Sequence, residues 1–227
     1  MDAVNWLLGQ MSKDGFSLFR YGGGNVAYIK TNFNGRVALF LGRHKDGFFT
    51  PKLSLSVDAY PFFVDVLGES DLKLKDDYER NMGFTYWVQT VVFMPDGSTR
   101  SVSHKNREKF DVNDVMRVKN VYFERFLPWI SRRMNYDFVV NLIENGDEDI
   151  IKSEAKDNGR FCFFGWAFGE RSSEIDNGLM FKKNYADYYV IMASMAYARQ
   201  DMEKVGFYAN EYKRFKSELE LRRQKVS

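Results

Sequence analysis

Residues 36–57 constrain the fold most strongly, because two apolar runs there flank the short polar connector 43–47, which ends in Asp46-Gly47. A polar connector of this kind between apolar runs is typical of a β-hairpin. The second run alternates with the two-residue period of a half-buried strand. Its apolar members are Leu53, Leu55 and Val57, and its polar members are Lys52, Ser54 and Ser56. We therefore expect this hairpin to lie inside a larger sheet.

The rest of the N-terminal half predicts more strands beside the hairpin. Asp2 is a suitable cap for a first helix that ends at Asp14-Gly15. Asn34-Gly35 predicts a tight turn, and Pro95 begins a turn between two further runs of strand composition. The predicted strands outside the hairpin are 16–20, 26–33, 84–94 and 99–103. Together they give an antiparallel sheet of about six strands.

The C-terminal half changes to the period of helices. From Asn113 onward apolar residues recur every three or four positions behind an Asp111 or Asn113 cap, and Pro128 is expected to break or kink this helix. Helices are also expected at 138–143, at 147–156 and in a closing hairpin, 185–199 and 202–223. Residues 161–168 fit a buried helix or a strand equally well. The chain is thus predicted to be one α+β domain over 1–227, mainly β in 1–110 and mainly helical in 111–227.

Charge and cysteine content limit the partners and the compartment. Lys and Arg number 33 against 31 Asp and Glu, so the formal charge of +2 gives no broad attraction to nucleic acid or to anionic membranes. A single cysteine, Cys162, excludes an intramolecular disulfide, and its phenylalanine neighbours predict a buried, unreactive thiol. We find neither a signal peptide nor an apolar run of roughly 18 residues. We expect a cytoplasmic protein.

No catalytic, cofactor or metal site is predicted. The glycines at 22–24 lead into a strand, whereas phosphate-binding loops lead into a helix, so we interpret them as a hairpin tip. His44 and His104 lie in polar, turn-like segments without the ligand cluster that zinc requires. His44 with Asp46 offers the pairing of a general base, but many surface loops offer such a pair. The chain is therefore predicted not to be an enzyme.

Two acidic clusters are candidates for contact with a basic protein partner, although charge runs are usually only solvated. One spans 69–79, and the other supplies the residues that we predict to bind a partner: Glu144, Asp147, Glu148 and Asp149. The basic candidates, Arg132-Arg133 and the tail 222–225, are too sparse to favour nucleic acid.

Several segments together resemble a bacterial domain family of unknown function. They are Asp-Gly-Phe at 14–16, Tyr-Ile-Lys-Thr-Asn-Phe at 28–33, Leu-Phe-Leu-Gly at 39–42, Phe-Leu-Pro-Trp at 126–129 and the helical end at 197–205. Residues 69–80 and 161–168 have no counterpart in that family. Some of its members are found beside polymorphic-toxin genes, which implies an immunity role, that is, a binding module that covers the active site of a toxin domain. The competing hypotheses are an enzyme acting on nucleic acid or a phosphate ester with dispersed histidine and carboxylate residues, and a structural subunit.

Overall fold

A computed structural model describes residues 1–21, 25–33, 35–69, 85–101, 106–145 and 179–226. Predictions that fall on the glycine tip at 22–24, most of the 69–79 acidic stretch, His104, the helix at 147–156, the apolar run 161–168 and Cys162 lie outside the described residues. By its contacts the chain separates into two compact units, Met1–Ser56 with Val88–Cys162 and Val57–Trp87 with Phe163–Ser227. The expectation of a single domain stays a prediction.

The described residues form an α+β fold, which confirms the predicted class. The helices are α1 (Ala3–Lys13), α2 (Val115–Val121), α3 (Leu127–Arg133), α4 (Tyr136–Asn145), α5 (Leu179–Ala198) and α6 (Met202–Val226). The strands are β1 (Ser17–Tyr21), β2 (Asn25–Asn32), β3 (Gly35–Arg43), β4 (Phe48–Asp58), β5 (Thr85–Phe93), β6 (Thr99–Ser101) and β7 (Phe110–Asp111). The sheet has the order β1-β2-β3-β4-β5-β6, and β7 pairs with β4.

The predicted antiparallel meander is present, and the conformation between β2 and β3 depends on the Phe33 ring. Strands β2 and β3 are antiparallel, with Asn32 opposite Gly35, so Gly35 begins a strand instead of lying in the turn. Phe33 has a positive φ of 39°, and a Cβ at position 35 would overlap the Phe33 ring. Glycine is therefore required at position 35 because the aromatic side chain folds back over the strand.

The expectation that β4 is half-buried is wrong. Its apolar residues Leu55 and Val57 are fully buried, but Ser54 and Ser56 on the opposite face are also only 1% exposed. The strand lies between β3 and β5 in the interior of the sheet, and the Ser54 hydroxyl forms a 2.9 Å hydrogen bond with the Thr90 hydroxyl. Small hydroxyl side chains can be buried when they form hydrogen bonds with each other. The polar character of Ser54 and Ser56 therefore did not indicate that they are exposed.

A chain of aromatic rings fills the core of the first unit. The ring of Phe126 lies 4.5 Å from that of Phe93 and 6.2 Å from that of Phe110, and Phe110 lies 5.6 Å from Phe49. All four side chains are at most 2% exposed. Aromatic side chains bury a large apolar area per residue. These four phenylalanines therefore stabilise the fold, and their abundance needs no functional explanation.

The helix predicted from Asn113 is present, but its cap is Asp114 and not Asp111 or Asn113. The Asp114 carboxylate accepts a 3.0 Å hydrogen bond from the Arg117 amide, whereas Asp111 accepts from the Asn113 amide and closes the preceding turn. After α2 the chain continues through a π-helical turn, Tyr122–Phe126, before Pro128 stands in the first turn of α3. Proline is tolerated there because its missing N–H would have no partner in a first turn.

The second unit contains the predicted helical hairpin of α5 and α6. Both helices pack on the π-helical turn Phe62–Val66. Met202 continues the three- and four-residue spacing of the apolar residues of α6, yet it is 58% exposed. It begins the helix where the facing helix has already ended at Ala198. The buried members of this core are Ala59, Phe62, Phe63, Val190, Ala193 and Ala209.

Tyr212 makes the second unit sensitive to alkaline pH. Burial raises the pKa of Tyr212 to about 12. The negative charges of three carboxylates raise this pKa further: Glu69, Asp187 and Glu220. An unfolded tyrosine ionises near pH 10, so between about pH 10 and 12 only the unfolded chain has lost this proton, and the free energy of unfolding must fall with pH.

We therefore expect Tyr212→Phe to reduce this alkaline loss of stability while changing the free energy of unfolding little at neutral pH, because the ring is kept. Urea unfolding followed by circular dichroism from about pH 8 to about pH 12 measures the effect. Equal alkaline slopes for the variant and the natural protein would contradict the assignment.

Candidate functional site

An exposed group of large apolar side chains lies on the first unit. Phe123 is 51% exposed and Met116 is 65% exposed. The two residues are seven positions apart in a helical segment, so they lie on the same side, with Lys119 between them. Trp6 of α1 is half-buried beside them. We call these four residues, Trp6, Met116, Lys119 and Phe123, the aromatic surface.

The rings of the aromatic surface hold one another in place. The Trp6 ring lies 6.1 Å from the Phe123 ring and 5.9 Å from the buried Tyr122 ring, both in edge-on geometry. The Tyr122 and Phe123 rings are also edge-on, 5.3 Å apart. The Lys119 ammonium lies 5.6 Å from the centre of the Trp6 ring, within the range of a cation–π interaction. The surface therefore combines apolar area with one fixed positive charge.

Asp14, the residue that ends α1, fixes this surface from behind. Its carboxylate accepts hydrogen bonds from the Tyr122 hydroxyl and from the Gln10 side chain. Its backbone carbonyl accepts a 2.7 Å hydrogen bond from the Lys30 ammonium on β2. Burial raises the pKa of Tyr122, and the hydrogen bond to Asp14 raises it further. Because the phenol stays protonated at neutral pH, it remains a donor to Asp14 and keeps α1 against the turn after α2.

The sequence did contain a signal for this surface that our interpretation missed. The buried stripe predicted from Asn113 includes Tyr122 and Phe126, and Met116 and Phe123 lie off that stripe. Large apolar residues that repeat on the polar side of an amphipathic helix indicate an exposed patch. Trp6 carried no such signal, because its position beside Phe123 depends on how two helices pack.

The residues predicted to bind a partner are only partly within the described chain. Glu144 lies in the last turn of α4, and Asp147, Glu148 and Asp149 lie outside the described residues. Their role stays a prediction.

The adjacent basic candidates Arg132 and Arg133 do not form a shared surface patch. Arg132 is exposed, but the neighbouring Arg133 is fully buried, with its Nε donating a 2.8 Å hydrogen bond to the Gln89 side chain. Consecutive residues on a helix point about 100° apart, so two adjacent arginines need not share a surface. The basic tail is the end of α6, a helix that runs to Val226.

The described contact of the His44 ring is with a threonine hydroxyl, and the general-base hypothesis for His44 stays untested. Its Nε2 lies 2.9 Å from the Thr50 hydroxyl across the predicted hairpin. Within residues 1–69, 85–145 and 179–226, apart from the gaps at 22–24, 34 and 102–105, no group of three or more His, Cys, Asp or Glu side chains is arranged to hold a metal ion.

Neither a protein-family model, nor a curated protein, nor a solved structure matches the chain. No helix in the part of the chain that the structure describes has both the length and the apolar character needed to span a membrane. The aromatic surface is therefore the candidate site that follows from the residues themselves.

Proposed function

We propose that the protein is a non-enzymatic, cytoplasmic protein-binding module that anchors its partner on the aromatic surface. The observation that carries this proposal is the half-exposed Phe123 ring, which is held edge-on between Trp6 and Tyr122. Aromatic residues and methionine are enriched in the cores of protein interfaces, whereas lysine and acidic residues are depleted there. In this composition Phe123, Met116 and Trp6 are the anchors, and Lys119 belongs to the rim.

Preorganisation supports the same proposal. Binding costs less free energy when the contacting side chains are already ordered, because little conformational freedom is then lost. The three rings and the Asp14 hydrogen bonds behind them fix Trp6 and Phe123 in the free protein. A side chain held in this way serves as a binding hot spot better than a long, mobile surface residue does.

The partner that we propose is a toxin domain whose active site the protein covers. This part rests on the resemblance of 14–16, 28–33, 39–42, 126–129 and 197–205 to the immunity-like family. The acidic residues near Glu144 supply the complementary charge for a basic toxin surface in this scheme. Charge complementarity of this kind raises the association rate and suppresses wrong partners.

We expect Phe123→Ala to weaken partner binding by about 30-fold or more, the loss typical of a hot-spot residue of about 2 kcal/mol. The natural protein and the variant are used as baits in extracts of the native host, and the affinity of the co-purified protein is then measured for each. Phe207→Ala is the matched control, because Phe207 is 58% exposed on the second unit. Equal affinities for both variants would contradict the assignment of the site.

The same experiment tests the acidic residues and the immunity role. Replacing Asp147, Glu148 and Asp149 by serine is expected to slow association and to reduce its dependence on salt. Co-expression with the captured protein tests immunity directly, since the natural chain should restore growth and Phe123→Ala should not. A bait that retains only nucleic acid would favour the competing hypothesis of an enzyme.

A further inference from the structure

Gly9 occupies the middle of α1, where a glycine weakens the helix that contains it. Glycine loses more conformational freedom than other residues when it enters a helix, and only proline is less favourable in a helix interior. The helix runs from Ala3 to Lys13, and its caps are Asp2 and Asp14. Gly9 is therefore unfavourable for the free helix, and a capping role does not explain it.

The packing of the first unit does not require a glycine at this position either. Gly9 is exposed, and a Cβ added to it would meet no atom of a neighbouring element within 4 Å among the described residues. Gly15 differs, because its φ of +85° lies in the left-handed region that favours glycine. Alanine in place of Gly9 would be accommodated without strain, so the fold leaves the choice of glycine unexplained.

Gly9 borders the aromatic surface. It lies three residues after Trp6 in α1, and residues three positions apart are neighbours on a helix surface. Trp6 is the ring that lies 6.1 Å from the Phe123 ring. A partner that covers these two rings also reaches α1, and the missing Cβ lets the partner's main chain come closest at Gly9.

We propose that the partner crosses α1 at Gly9 with an amphipathic α-helix whose apolar side covers the aromatic surface. This inference rests on the proposed function, to which it adds the form of the segment that binds there. The main-chain groups around Gly9 are bonded within α1, so α1 cannot pair with a strand of the partner as a sheet edge does. A segment pressed against α1 must satisfy its own main-chain hydrogen bonds, and a helix does so within itself.

Close packing of two helices explains why a side chain is excluded at the crossing point. The axes of packed helices lie about 8–10 Å apart, and small residues at the contact give the shorter distances. At the short end of this range a Cβ at Gly9 would press against the main chain of the partner helix. Trp6 and Phe123 then bury their rings against its apolar side, as anchors do when a helix binds in a groove.

Matched glycine-to-alanine substitutions test the proposal, with Gly206→Ala as the control. Gly206 is an exposed residue inside α6, and a Cβ there would also meet no neighbouring element of the described chain within 4 Å. Alanine favours a helix more than glycine does, so each free variant should unfold at a temperature about 2–4 °C above that of the natural protein. Differential scanning calorimetry measures this shift.

Binding should separate the two variants. The probe is the protein that the natural chain captures from extracts of the native host, purified and titrated calorimetrically with each variant. The ratio of the affinities, and not the capture, is the readout. Gly9→Ala should weaken binding by about tenfold or more, because an added group overpacks a close contact, and Gly9→Gln should weaken it further. Gly206→Ala should leave the affinity unchanged.

The outcomes distinguish this inference from the proposed function. Unchanged affinity for Gly9→Ala together with a loss for Phe123→Ala would overturn the helix crossing and leave the proposed function standing. No loss for either variant would overturn both. Sedimentation of the natural chain alone tests the other occupant, since a dimer that Gly9→Ala dissociates would place a second copy of this chain on α1 and overturn the crossing by a partner helix.

Hydrogen exchange of the captured protein tests the form of its binding segment. The segment protected by the natural chain, and less protected by Gly9→Ala, should repeat apolar residues every three or four positions, as an amphipathic helix does. Apolar residues at every second position in that segment would indicate a strand and would overturn the proposal.

Discussion

Replacing Arg133 by alanine is expected to lower the free energy of unfolding by about 3 kcal/mol or more. Arg133 is fully buried, and its guanidinium lies 4.1 Å from the centre of the Trp129 ring and 5.2 Å from that of Phe138. Alanine leaves a cavity between these rings. It also leaves the Gln89 side-chain oxygen without the 2.8 Å hydrogen bond from the Arg133 Nε. Both losses act in the same direction because the site is closed to water.

The adjacent residue provides a matched control. Arg132 also stacks on the Phe138 ring, at 5.0 Å, but it is exposed. We expect Arg132→Ala to change the free energy of unfolding by less than about 1 kcal/mol, since exposed contacts contribute little. Urea unfolding of both variants measures the difference. Comparable losses for the two variants would mean that the burial of Arg133 is not what makes it important.

The sequence predicted the secondary-structure elements around these arginines, but it did not predict that Arg133 is buried. The periods of apolar residues predicted the β3–β4 hairpin, α1 and the closing α5–α6 hairpin, because those periods are imposed by local backbone geometry. The same periods do not show whether Arg133 is buried or exposed. The aliphatic part of an arginine can pack between rings, so an arginine can occupy a core position as an apolar residue does. Burial of a polar group depends on partners that are distant in sequence, such as Gln89.

The aromatic surface was likewise predictable from the sequence only in part. Met116 and Phe123 are visible in the sequence as apolar residues off the buried stripe of their helix. Trp6 is 117 positions before Phe123, and only the packing of α1 on the later helices places the two rings 6.1 Å apart. Local pattern thus identified candidate residues, and tertiary structure decided which of them act together.

Glu108 is at the centre of an ion-pair network in the first unit. Its carboxylate is 4% exposed and binds Arg117 and Arg125. Arg125 is itself mostly buried, donates a 2.9 Å hydrogen bond to the Met94 carbonyl and lies over the Phe93 ring. The Glu108 amide also donates to the Phe93 carbonyl. The network therefore ties the residues before β7 to the end of β5 and to the helical segment after it.

We expect Glu108→Ala to lower the free energy of unfolding by about 3–5 kcal/mol, because it leaves Arg125 buried without its carboxylate. Arg117→Ala should cost less than about 1 kcal/mol, since the Arg117 side chain is 45% exposed and water replaces the lost pairing. The combined change Glu108→Leu with Arg125→Met should recover most of the loss, because an apolar pair carries no desolvation penalty. Urea unfolding of the three variants measures these differences. A double variant as unstable as Glu108→Ala would show that the hydrogen bond from Arg125 to the Met94 carbonyl, and not the buried charge, dominates the network.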